Sequence, residues 1–136
     1  MTRLLMVLLI AMTARQDSTQ PLAKPDSDLL YAVKGAQQLR FLVDDPGTFR
    51  LNLALITDAG NVCYEYQARN GVGATDVETA VFPKSTRPLA DNEDQKFVSL
   101  ASSDWKHNCV EGATFKWHLR NGRDVTEDVI RVLKSE

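Results

Sequence analysis

Cys63, Glu65, Gln67 and Arg69 fall at every second position of the run Asn61-Val62-Cys63-Tyr64-Glu65-Tyr66-Gln67-Ala68-Arg69-Asn70. Successive side chains on a β-strand point to opposite faces, so these four share one face while Val62, Tyr64, Tyr66 and Ala68 share the other. A carboxylate, an amide and a guanidinium in a row can recognise charged or amide-bearing groups. Arg69 and Asn70 lead into Gly71-Val72-Gly73-Ala74, and the free amides of a glycine-rich turn can bind an anion. Glu65, Gln67, Arg69 and Asn70 are therefore a candidate binding face for a carboxylate or a peptide terminus. The plainer alternative is a solvated strand face whose cross-strand pairs contribute a few tenths to about 1 kcal/mol. Asn70 and the glycines would then supply only the left-handed conformations of a tight turn.

Other reactive side chains form no recognised pattern. A hydrolase would need a nucleophile, a base and an orienting acid from Ser99, Ser102, Ser103, His107 and His118, and no nucleophile elbow surrounds any of them. Cys63 and Cys109 lack the close Cys-x-x-Cys spacing that lowers a thiol pKa. With His107 they could offer zinc three ligands, but a fourth and the usual paired spacings are missing. The acidic run Asp91-Asn92-Glu93-Asp94 lacks the spaced ligands and turn glycine of a calcium loop. No catalytic residue, cofactor site or metal site is assigned.

Composition narrows the partners. With 136 residues, 43% of them hydrophobic, the chain can build one modest core. A formal charge of −2 and a pI near 5.7 leave no net basic field for phosphate backbones, and aromatic residues make up only 7%. Nucleic acid is a poor partner on both counts.

Met1-Thr2-Arg3 followed by an unbroken apolar run over residues 4–12 matches a signal peptide, with cleavage after Thr13 or Ala14. The run is too short for a stable membrane span, which needs about 20 apolar residues. The expected organisation is a signal peptide over residues 1–14, a flexible linker over 15–25 and a single domain over 26–136. Periplasmic or secreted export puts Cys63 and Cys109 in an oxidising compartment, where they can close one disulfide.

The elements that position these residues follow from periodicity. Asp26 or Ser27 can cap a helix in which Leu29, Ala32, Ala36, Leu39 and Val43 recur at spacings of three and four, widened by Val33 and Leu42. Gly35 weakens this helix by about 1 kcal/mol relative to alanine but allows a close neighbour. Asp44-Asp45-Pro46-Gly47 ends it. Phe49, Leu51, Leu53 and Leu55 alternate with Arg50, Asn52 and Ala54, which predicts a half-buried strand over residues 49–57 with that apolar face on the helix. Asp58-Ala59-Gly60-Asn61 is a hairpin turn, and residues 77–82 make a third strand that Pro83 stops.

Residues 83–95 read as an exposed loop, and 96–100 as a short fourth strand or a packed approach. Ser102 or Ser103 can cap a brief helix that brings Trp105 over the disulfide. Phe115, Trp117 and Leu119 alternate before a turn at Asn121-Gly122. Asp124 and Glu127 form a capping box for a final helix burying Val129, Ile130 and Leu133. The predicted fold class is α+β: a long N-terminal amphipathic helix on a three- to four-stranded antiparallel sheet, with short C-terminal helices and one disulfide.

The run from Val62 through Gly73, preceded by Asp45-Pro46-Gly47-Thr48-Phe49 and accompanied by Trp105-Lys106-His107-Asn108-Cys109, resembles a group of small exported bacterial proteins of unknown function. In these a helix ends in Asp-Pro-Asp/Gly-Ser/Thr and the following strand carries Cys, Glu and Ala-Lys/Arg-Asn. The resemblance covers about residues 28–82, and Gly71-Val72-Gly73-Ala74 departs from the aromatic and two glycines usual there. It implies an exported, disulfide-bonded, helix-plus-sheet domain and no particular activity. The functional expectation is a non-enzymatic cell-envelope module that binds a protein or peptide through the sheet face or an exposed edge strand. The alternatives are a small periplasmic hydrolase and an inhibitor of a secreted enzyme.

Overall fold

A carboxylate starts the first helix and another side of the same group ties down a strand. In the computed structural model, which describes residues 26–86, 96–112 and 116–136, Asp26 caps α1 (Ser27–Leu42) by accepting the Leu29 N–H at 3.2 Å. Its second oxygen meets Arg123 at 2.6 Å. α1 stops at Val43, whose backbone is extended; Pro46 keeps the residue before it, Asp45, out of the helical region, and a 3-10 turn follows at Pro46–Thr48. Thr48 donates to the Asp45 carbonyl at 2.8 Å and accepts the Arg69 N–H at 2.8 Å, which ties the end of the helix to the end of a strand. The expected signal peptide and linker lie outside the described residues, as do the loop carrying Asp91 to Asp94 and Phe115.

Three strands form a meander: β1 (Arg50–Thr57), β2 (Val62–Arg69) and β3 (Thr75–Phe82). Gly60, at φ +88°, turns the first hairpin, with the Thr57 N–H bonded to the Asn61 carbonyl at 2.8 Å. Then come α2 (Ser102–Cys109), a small two-stranded sheet of β4 (Val110–Glu111) and β5 (His118–Leu119), the short strand β6 (Gly122–Asp124) and α3 (Thr126–Lys134). The main sheet is antiparallel throughout, in the order β3-β2-β1-β6. The fold is thus α+β, with a four-stranded antiparallel sheet and one disulfide.

The sheet has a core on each face. On the inner face Ala32, Val33, Ala36 and Leu39 of α1 and Val129 of α3 pack on Leu51, Ala54, Ile56, Val62, Tyr64, Tyr66, Ala80 and Phe82. Burying a side chain such as Leu39 contributes about 1.5–3 kcal/mol. Tyr64 reaches from β2 into α1, its hydroxyl donating to the Ala32 carbonyl at 2.7 Å over Gly35. Phe82 stacks on Phe97 at 4.6 Å and meets the Tyr31 ring edge-on at 5.8 Å. On the outer face a smaller cluster joins Leu55, Cys63, Val81 and Cys109 beneath Leu53, Trp105, Val110 and Leu119.

Four local expectations are corrected. Leu51, Leu53 and Leu55 do not share a face, because the register slips between Leu51 and Leu53: Leu51 faces α1 while Leu53 and Leu55 face the disulfide. One extra residue on a strand inverts every position beyond it. Of the two readings of residues 96–100 the strand gives way to the packed approach: they pair with the sheet only at the bridge between Ser99 and Val81, with Phe97 and Val98 packed on the core, and the fourth strand is β6, on the opposite edge. Ala101 rather than a serine precedes α2, and Ser99 bonds Asp104 at 2.5 Å instead. At α3 the Asp124 carboxylate accepts from the Thr126 N–H at 2.9 Å and its hydroxyl at 2.5 Å, one residue out of register with the expected box.

Candidate functional site

Cross-strand registration decides what surrounds the four candidate residues. Glu65 pairs with Leu53 and Thr79, Gln67 with Arg50 and Val77, and Arg69 with Thr75, all on the outer face. The Cys63 end of that face is closed by α2. The other end is open, with Glu65 and Gln67 half-buried, Arg69 exposed and Val77 62% exposed. Glu65 accepts from the Asn52 side chain at 3.4 Å, so the bulge residue of β1 reaches this face. The structure therefore places Glu65, Gln67 and Arg69 together on an open half-sheet.

Asn70 stands apart from them. Its side-chain oxygen accepts the N–H groups of Val72 and Ala74 at 3.1 and 3.0 Å, and its amide donates to Asp76 at 2.7 Å. The Gly73 N–H goes to the Asn70 carbonyl at 3.0 Å and the Gly71 N–H to Asp44 at 2.9 Å. All four amides of residues 71–74 are thus taken by acceptors within the chain. The anion cradle anticipated for this turn is occupied by the chain's own carbonyl, amide and carboxylate oxygens. Asn70 builds the turn.

The disulfide is fully buried. Cys63 and Cys109 are bonded, both at 0% exposure, beneath the partly buried Trp105. Both sulfurs are committed to each other, which closes the zinc alternative with His107. Among the described residues no group of three or more His, Cys, Asp or Glu side chains could hold a metal ion. Of the serines and histidines, Ser99 bonds Asp104, and His118 lies 3.4 Å from Glu111 on the small sheet. No helix among the described residues is long and apolar enough to cross a membrane.

Sequence reasoning missed the other side of the same edge. A cleft of about 190 Å³ opens between the end of α1 and β3, bounded by Leu42, Asp44, Tyr66, Asp76, Glu78 and Leu100. The Tyr66 hydroxyl donates to Glu78 at 2.9 Å, and burial, reinforced by that carboxylate, raises the phenol pKa above its ordinary value. Alternation within residues 75–79 was the available signal, since Asp76 and Glu78 must face away from Thr75, Val77 and Thr79. No protein-family model matches this chain, and no similar curated protein or solved structure was found.

Proposed function

We propose that this chain is a non-enzymatic binding module that takes an extended segment of another envelope protein as an added strand on the free edge of β3, beside Glu65, Gln67 and Arg69. One observation carries the reading. Val81 gives its N–H to Ser99 at 3.0 Å and accepts the Ser99 N–H at 2.8 Å, so its backbone groups point away from β2. In an antiparallel ladder that orientation recurs at every second residue. Thr79, Val77 and Thr75 then present theirs off the sheet, and among the described residues no strand pairs with them. An unpaired row of this kind is what β-augmentation uses: main-chain bonds supply affinity, and alternate side chains supply specificity.

The Cys63–Cys109 bond supports an oxidising, exported location, which makes an envelope protein or peptide the fitting partner. Inhibition of a secreted enzyme would be one case of such binding. The test is to select extended peptides from a random displayed library on the oxidised protein. Val77→Pro then deletes an outward N–H that β2 does not use, a substitution tolerated on an edge strand. Selected peptides should lose binding to the folded variant and slow amide exchange at Val77 and Thr79 of the wild type. Peptides that bind Val77→Pro undiminished, or that protect amides elsewhere, would overturn the reading.

A further inference from the structure

Resting on the β3 edge as the docking line, we propose that the strand it takes is basic, with Lys or Arg at alternate positions set against Asp76 and Glu78 on the helix side. Registration places the carboxylates: Asp76 pairs with Ala68 and Glu78 with Tyr66, so both project toward α1 and border the cleft closed by Leu42 and Leu100. A strand added outside β3 sends every second side chain over the mouth of that cleft. Long basic side chains fit this profile, because their stems can lie on Leu42 and Leu100, both 42% exposed, while their charged ends meet carboxylates.

The carboxylates are held ready to accept. Glu78 is anchored through one oxygen by Tyr66 at 2.9 Å, and Asp76 through one oxygen by Asn70 at 2.7 Å. Asp44, which also lines the cleft, is anchored in the same way by the Gly71 N–H at 2.9 Å. These donors are neutral, and an ionised carboxylate has further lone pairs to offer. Among the described residues no ion pair engages Asp44, Asp76 or Glu78. Arg69 also borders the cleft, leaving its carboxylates in excess by two.

The same charges argue against a second copy of this chain as the occupant. Antiparallel self-pairing centred on Val77 would set Asp76 of one copy directly opposite Glu78 of the other, on the same side of the joined sheet. Like charges in that position destabilise the pair. A basic strand turns the repulsion into attraction.

The probe is a capped, fluorescein-labelled peptide, Thr-Lys-Val-Lys-Val-Lys-Thr, titrated by anisotropy, with a control in which Glu replaces each Lys. Two variants accompany it: Asp76→Asn with Glu78→Gln, which keeps the acceptors for Asn70 and Tyr66, and Val77→Pro. The lysine peptide should bind, weaken with added salt, and lose about tenfold in affinity on the doubly neutralised protein, with the Glu peptide weaker by a similar factor. Val77→Pro should abolish binding. Equal binding to the neutralised protein, or none to the wild type, overturns the basic preference. If Val77→Pro still abolishes binding while neutralisation does not, the edge reading stands and only the preference fails; binding unaffected by Val77→Pro refutes both. A dimer in sedimentation that Val77→Pro dissolves would make a second copy the occupant and also overturn the proposal.

Discussion

Replacing Gly35 with alanine should destabilise this protein, although the same change at an exposed helix position stabilises by about 1 kcal/mol. A Cβ built at Gly35 overlaps the Tyr64 hydroxyl and stands 2.9 Å from Tyr64 Cζ and 3.1 Å from Phe82 Cδ1. Neither ring can swing into solvent, since both residues are at 0% exposure, and Tyr64 is also held by its bond to Ala32. Relieving the overlap means moving α1 off the sheet or breaking that bond, at an overpacking cost of about 1–3 kcal/mol beyond the lost hydrogen bond of about 1 kcal/mol. Subtracting the propensity gain leaves Gly35→Ala less stable by about 1–3 kcal/mol.

A double-mutant cycle with Tyr64→Phe isolates the cause. The single Tyr64→Phe change should cost about 1 kcal/mol, because it removes one buried hydrogen bond and leaves the ring in place. In that background the alanine loses its worst neighbour, so the two changes should couple favourably by about 1 kcal/mol or more. Urea unfolding of the oxidised protein, read as a shift in midpoint at constant slope, measures all three variants. A more stable Gly35→Ala, or strictly additive changes, would refute the close-approach account.

Reduction, or replacement of both cysteines by alanine, should lower stability by about 4 kcal/mol, the chain-entropy value for a separation of 46 residues; unfolding with and without reductant checks it. Asp26 has a carboxyl pKa held below its ordinary value, first by the Arg123 hydrogen bond and then by the Leu29 N–H. A group depressed in the folded state stabilises above its unfolded pKa and loses that contribution as pH falls through the folded one. Asp26→Asn should therefore be less stable at neutral pH, with the difference narrowing below about pH 4, as unfolding curves across that range would show. Asn70→Ala should cost about 1–2 kcal/mol through the lost turn bonds and speed amide exchange at Val72 and Ala74; unchanged exchange would count against its turn-building role. Expression with the native N-terminus in a bacterial host should yield a mass lacking the residues through Thr13 or Ala14 and two cysteines inert to alkylation, and full length with two free thiols would refute export.

The parts of the fold that strict periodicity encodes were readable in advance. α1 and β2 repeat at helical and strand spacing with few exceptions, and Asp45-Pro46 and Gly60 punctuate them through local sterics. β1 misleads because its residues are apolar on both faces, so alternation cannot show the slip beside Asn52. β6 has no strand-like composition. It exists because Asp124 and Thr126 dock on β1, where the Thr126 hydroxyl accepts the Ala54 N–H at 2.9 Å and the Val125 N–H reaches the Ala54 carbonyl at 2.9 Å. Those partners lie far apart in the chain, and a local pattern holds no record of them. The candidate face was legible as alternation; the amides of residues 72–74 go to the neighbouring Asn70, which a local pattern could have suggested, whereas the Gly71 amide goes to Asp44, which arrives from the end of α1 and leaves no local trace.

The bulge also explains why half of the outer face is open. Without the slip, Leu53 and Leu55 would join Leu51 on the helix side, and Cys63 would lack its apolar neighbour Leu55. Turning the two leucines outward creates a second core just large enough for the disulfide, Trp105 and the short helix α2. That helix has eight residues and ends at Cys109, so its length of about 12 Å covers only part of strands that run about 27 Å. The remaining surface, from Glu65 to Arg69 and across to Val77, keeps polar and charged side chains because nothing in the described chain packs over it. Val77 is the exception in composition, an apolar residue in the middle of an edge flanked by Asp76 and Glu78. Charges on both sides of it discourage indiscriminate strand pairing while leaving its own N–H and carbonyl accessible. Charges that oppose pairing with a second copy, beside outward backbone groups that no described strand uses, fit the strand capture proposed above.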